Sequence, residues 1–187
     1  MLSELTLTET KLISGDELAQ TGNLGPCELI EGRIVTMAPT GYEHGDYEGN
    51  LYYALRSFIN THKLGRVQVG EVGIYTRRNP DTVRAADVLY ISNERYAQKQ
   101  SASYLDVAPE LVVEILSPHD AWSEVTQKLR EYFGIGVQLV WIVDPSARMV
   151  YAYRSMTEIR EFTEHDDLPG DEVLPGFSVK VAELFEI

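Results

Sequence analysis

The run PELVVEILSPHD, residues 109–120, constrains this chain more than any other stretch. Read as a strand, it places Leu111, Val113 and Ile115 on one face and Val112, Glu114 and Leu116 on the other. A carboxylate flanked by Val and Leu is too costly to bury without a partner, so Glu114 calls for a cation. A helix carrying Lys128 follows directly. A second candidate strand, RAADVLYIS (84–92), repeats the pattern with Asp87. Two carboxylates on sheet strands with a lysine nearby are the components of a metal-dependent phosphodiesterase.

A length of 187 residues with 44% hydrophobic content suffices for one domain with its own core, expected over residues 12–187 behind a flexible start at 1–11. Cys27 is the only cysteine, which excludes an internal disulfide and a thiolate zinc cluster and suits a reducing cytoplasm. The start, MLSELTLTETKLISGDELAQ, lacks the basic-then-apolar order of a secretory signal. Apolar runs such as LVWIV are too short to cross a bilayer, so a cytoplasmic protein without a membrane partner is expected.

The net charge of −13 argues against a nucleic-acid partner, because phosphate binding leaves a basic footprint. The distribution softens this objection: residues 61–99 hold seven Lys/Arg against four Asp/Glu. A cation bound at an acidic centre would also invert the local field. Weak non-specific DNA binding is the expectation.

Periodicity and turn residues predict a short helix near 14–20, then a hairpin in CELIEGRIVTM turning at Glu31-Gly32. Leu51, Leu55, Phe58 and Ile59 mark the buried stripe of a helix ending near 62. Strands are predicted at 65–76, 84–92 and 109–116. A helix over 121–133 follows, N-capped by Asp120 and stopped by Gly134 and Gly136. QLVWIVDP reads as a strand covered on both faces, RMVYAYRS and EIREFTE as antiparallel strands, and LPGFSVKVAELFEI as a closing strand and helical turn. This order is an α/β or α+β fold with a central mixed sheet, and no GxGxxG or P-loop is present.

Asp87 and Glu114 could together hold Mg2+, with the Ile115 carbonyl as a further contact and Lys128 orienting the attacking water or offsetting charge. Plainer roles stand beside these. Asp87 could pair with Arg84, Glu114 could form only a buried salt bridge to Lys128, and Lys128 could pair with Glu124 on the helix surface. His44 could be a helix-start residue packed at the core edge, and Glu28 could face solvent. Glu31 reads as a turn residue, Tyr132, Trp141 and Phe133 as core, Asp144 as the acceptor of an Asp-Pro turn, and EHDD (164–167) as a solvated loop.

CELIEGRIVTMAP, His44 opening a helix, AADVLYIS, PELVVEILSPHD, Lys128 with Tyr132, VWIVDP and LPGFSV occur in one order. Together they resemble a large bacterial family of restriction-endonuclease-like proteins of uncharacterised role, within the PD-(D/E)XK nuclease superfamily. The resemblance runs from about residue 12 to the C-terminus. It implies a restriction-endonuclease-like core and Mg2+-dependent endonuclease cleavage of nucleic acid, DNA first, with Mn2+ as a substitute ion and a homodimer as the working unit. It gives Asp87 and Glu114 the metal-ligand positions, Lys128 the catalytic lysine shifted to the following helix, and Glu28 and His44 supporting catalytic places. Two departures stand out: Ala86 replaces the proline of the motif, and Leu116 occupies the usual lysine position. Two rivals remain open, a catalytically inactive nuclease-fold module acting in protein assembly, and a metal hydrolase for a small phosphorylated molecule.

Overall fold

The computed structural model describes residues 11–22, 24–118 and 120–187. Residues 1–10, most of the expected flexible start, lie outside the described residues. Helix α1 (Gly15–Gln20) opens on a capping box in which Ser14 and Glu17 satisfy each other's backbone N–H groups. Strands β1 (Cys27–Ile30) and β2 (Arg33–Thr36) form the hairpin, turning at Glu31 and Gly32. Both have positive φ, 49° and 76°, the twist that a two-residue hairpin turn requires. Helix α2 (Tyr42–His62) buries His44, Tyr47, Leu51, Leu55 and Ile59 along one stripe.

Strands β3 (Gly65–Arg77) and β4 (Thr82–Ser92) pair antiparallel, with an irregularity between Val69 and Val72. A single turn, α3 (Asn93–Tyr96), leads through a loop to β5 (Leu111–Ile115), then α4 (Trp122–Ile135) and β6 (Leu139–Asp144). β7 (Met149–Tyr153) and β8 (Ile159–Thr163) extend the sheet. β9 (Asp167–Pro169) and β10 (Ser178–Lys180) make a separate pair before α5 (Val181–Leu184).

The main sheet runs β2-β1-β4-β5-β6-β7-β8, with β3 also on β4. Among the described strands only β5 and β6 pair in parallel, joined by α4, so the sheet is mixed as the element order predicted. Leu111, Val113 and Ile115 of β5 share a core with Leu51, Leu55 and Ile59 of α2. Val112 packs on the opposite face with Val125, Leu129 and Tyr132 of α4. Each fully buried Leu or Ile contributes about 1.5–3 kcal/mol relative to exposure. The alternation turns Glu114 toward α4, and no described helix is long and apolar enough to cross a membrane.

One expected cap is corrected. Ala121 occupies the N-cap of α4 without a side-chain bond, while Asp120 accepts the Ser117 N–H at 2.8 Å. The tight Ser117-Pro118 turn claims the carboxylate before the helix can. Gly136, at φ 100°, ends α4, whereas Gly134 lies within its last turn.

Candidate active site

Strand β3 occupies one edge of β4, and β1 and β5 share the other. Leu29 of β1 pairs with Val83, and β5 pairs with Val88, Leu89 and Tyr90. Between these contacts the ladder forks, and side chains take over from strand backbone. Ala85 donates its N–H to Glu28 Oε1 at 3.0 Å, and Asp87 Oδ2 accepts the Ile115 N–H at 2.7 Å. The β4–β5 register, continued one step, sets Asp87 opposite Glu114. The residues singled out from the sequence gather around this fork.

On the α4 side the charges are tightly paired. Glu28, only 5% exposed, accepts from Arg84 Nη1 at 2.8 Å, and Lys128 Nζ lies 3.3 Å from its other oxygen. Arg84 also grips Glu131 of α4 through two bonds of 2.6 and 2.7 Å. Lys128 donates to Glu114 Oε2 at 2.7 Å, and Tyr132 Oη donates to Oε1 at 2.5 Å. Burial pushes Glu114 up to about 7, a rise that Lys128 opposes and Asp87 reinforces. Burial disfavours the Lys128 ammonium, but Glu114 and Glu28 outweigh it and hold the group charged well above the ordinary lysine range. Burial and Glu114 likewise keep the Tyr132 phenol protonated. A cavity of about 60 Å³ adjoins this pair, and Leu116, which stands at the motif's lysine position, lines it together with Lys128.

On the α2 side the contacts are looser. His44 Nε2 lies 3.4 Å from Asp87 Oδ1 and 3.7 Å from Glu48 Oε1, with a ligand atom from each residue within 4.8 Å of the others. Nε2 is buried and makes no aligned hydrogen bond at these separations. Asp87 first, then Glu48, raise the imidazole from 6.5 to about 10. Glu71 sits within the β3 irregularity at φ 54°, and its carboxyl is pushed up by burial and by the charges of Asp87 and Glu48.

The plainer pairings do not form among the described residues: Arg84 binds Glu28 and Glu131 rather than Asp87, and Lys128 turns to Glu114 rather than Glu124. The salt bridge considered for Glu114 is present. Tyr132 is fully buried, as a core aromatic should be, and its hydroxyl also ends on Glu114. Asp87 and Glu114 are neighbours across the fork, yet they address different helices. Sequence reasoning did not single out Glu48, Glu71, Arg84 or Glu131 as site residues. The one available signal was the i,i+4 spacing of His44 and Glu48 on a single helix.

The Uma2 family, described as putative restriction endonuclease, matches residues 16–182. The chain belongs to this family. Among solved structures, the Uma2 chain is similar to a putative nuclease belonging to DUF820 from Anabaena variabilis. That likeness has a TM-score of 0.76 at 21% identity and covers 92% of this chain and 97% of the other. It is a likeness of fold. No curated protein matches the sequence.

A nuclease of the Uma2 family would use a divalent ion, and His44 provides a test of fit. Its inner nitrogen is buried and makes no aligned hydrogen bond. Here that nitrogen faces two carboxylates, the kind of donor set that binds divalent cations. The residues fit the ion.

Proposed function

We propose that the chain is a metal-dependent endonuclease that hydrolyses phosphodiester bonds of nucleic acid, DNA first, and works as a homodimer. The observation that carries this reading is the convergence of Asp87, Glu114, Lys128, Glu28 and His44, from five separate elements, on one fork of the sheet. Asp87 and Glu114 would hold the divalent ion. When bound, such an ion lowers the pKa of a coordinated water and offsets charge on the scissile phosphate. The Ile115 N–H fixes the Asp87 carboxylate through one oxygen and turns the other toward His44. Lys128, kept charged by Glu114 and Glu28, offsets charge developing on the phosphate or orients the water. Glu28 positions Lys128 and is itself anchored by Arg84.

The test is incubation of purified protein with Mg2+ or Mn2+ and plasmid, single-stranded DNA or RNA. Cleavage is expected, with loss in Asp87→Ala; cleavage unchanged by that substitution would discard the mechanism. Light scattering checks the dimer.

One observation favours a second reading, an inactive nuclease-fold module acting in assembly. Both Glu114 oxygens are already satisfied, by Lys128 and Tyr132, without an ion. Calorimetric titration separates the two, because a working site binds Mn2+ and weakens in Glu114→Ala, whereas an inactive module shows no such dependence.

A further inference from the structure

We propose that the ion held by Asp87 is completed by His44 Nε2 and a Glu48 carboxylate oxygen, and that this mixed nitrogen–oxygen set selects Mn2+ over Mg2+. This deepens the nuclease reading and rests on its use of Asp87 as a ligand.

The geometry comes from two elements. Helix α2 supplies His44 and Glu48 one turn apart, the spacing that puts two ligands on one helix face. Strand β4 supplies Asp87. An ion about 2.0–2.2 Å from each ligand leaves the ligands roughly 3–4 Å apart. The separations of 3.4 and 3.7 Å from Nε2 fall within that range.

Burial supports the same assignment. His44 is 9% exposed, and its inner nitrogen faces the two carboxylates without a hydrogen bond to either. Lys128 and Tyr132 hold the Glu114 oxygens on the α4 side, so Glu114 would meet the ion from there and leave the place next to His44 to Glu48.

The donor set then decides the ion. Mg2+ demands oxygen ligands and gives up its waters reluctantly. Imidazole prefers first-row transition metals, whereas carboxylates also suit Mn2+. One imidazole with two carboxylates therefore favours Mn2+ over Mg2+.

The test is electron paramagnetic resonance of the whole chain titrated with Mn2+, including electron spin echo detection of nitrogen coupling. Nitrogen coupling from a bound imidazole is expected, with Mg2+ competing only at about tenfold or higher concentration. His44→Gln should abolish the coupling, and Glu48→Gln should weaken Mn2+ binding about tenfold while keeping it. Wild-type Mn2+ bound without nitrogen coupling overturns the proposal, as does equal competition by Mg2+. Asp87-dependent DNA cleavage without coupling would sink this inference and leave the nuclease reading standing. Coupling in a protein that cleaves no nucleic acid would do the reverse.

Discussion

The two sides of the fork hold similar residues and treat them differently. Toward α4, Arg84 is shared by Glu28 and Glu131, Lys128 by Glu114 and Glu28, and Tyr132 closes the last oxygen of Glu114. Toward α2, His44 faces Asp87 and Glu48 across longer gaps and leaves its inner nitrogen unbonded. A closed network of buried charges fixes geometry, because breaking any member strands another. An open group keeps unspent binding capacity for something outside the chain. On the proposed reading, the two sides divide the work of holding a shape and receiving a ligand.

The largest effect expected is on the open side. Asp87→Asn should lower kcat/KM for nucleic-acid cleavage by about a thousandfold, the equivalent of about 4 kcal/mol, while the fold persists. Near-normal rates would erase the distinction between the sides. Arg84→Met probes the closed side. Removing the guanidinium that Glu28 and Glu131 share should cost about 3–5 kcal/mol in urea denaturation, against less than about 1 kcal/mol for Glu48→Gln. Equal losses would show that both sides are structural.

The pH dependence of the metal-free protein sharpens the contrast. Glu114 has a folded value of about 7 against 4.5 unfolded, so the folded chain retains this proton longer. Its contribution is present below about 4.5 and is lost as pH rises through about 7, a decline of about 3 kcal/mol. Thermal unfolding of wild type and Glu114→Gln from pH 4.5 to 8 should diverge over that window, and parallel curves would refute it. The smallest effect is that of Tyr132→Phe. It should cost about 1.5 kcal/mol and move the Glu114 titration upward, read by carboxyl carbon resonance, since the lost hydroxyl favours the ionised form. An unmoved titration would mean the hydroxyl contributes nothing to Glu114.

Much of this arrangement was legible in the sequence where periodicity and local chemistry govern. The alternation in PELVVEIL turned Glu114 against the helix that carries Lys128, and Glu31-Gly32 announced the hairpin that delivers Glu28. What escaped was decided by competition. Lys128 had an exposed partner in Glu124 and a buried one in Glu114, and the low dielectric of the interior favoured the buried one. Asp120 had two backbone clients, and the Ser-Pro turn won. Glu48 looks like any acid in the polar stretch EHGDYEGN, and its meaning arises only when α2 docks beside β4. Glu71 depends on a backbone irregularity with no local signature beyond the preceding Gly70.

The contact of Glu28 with Lys128 ties the first hairpin to the fourth helix across most of the main sheet's assembly. A ribosome-bound chain that has released the hairpin, α2 and β4 still lacks its ammonium group until α4 emerges and docks. On the proposed nuclease reading, the site is therefore completed late in synthesis, and an incomplete translation product carrying only the early segments would be harmless to the nucleic acids around it.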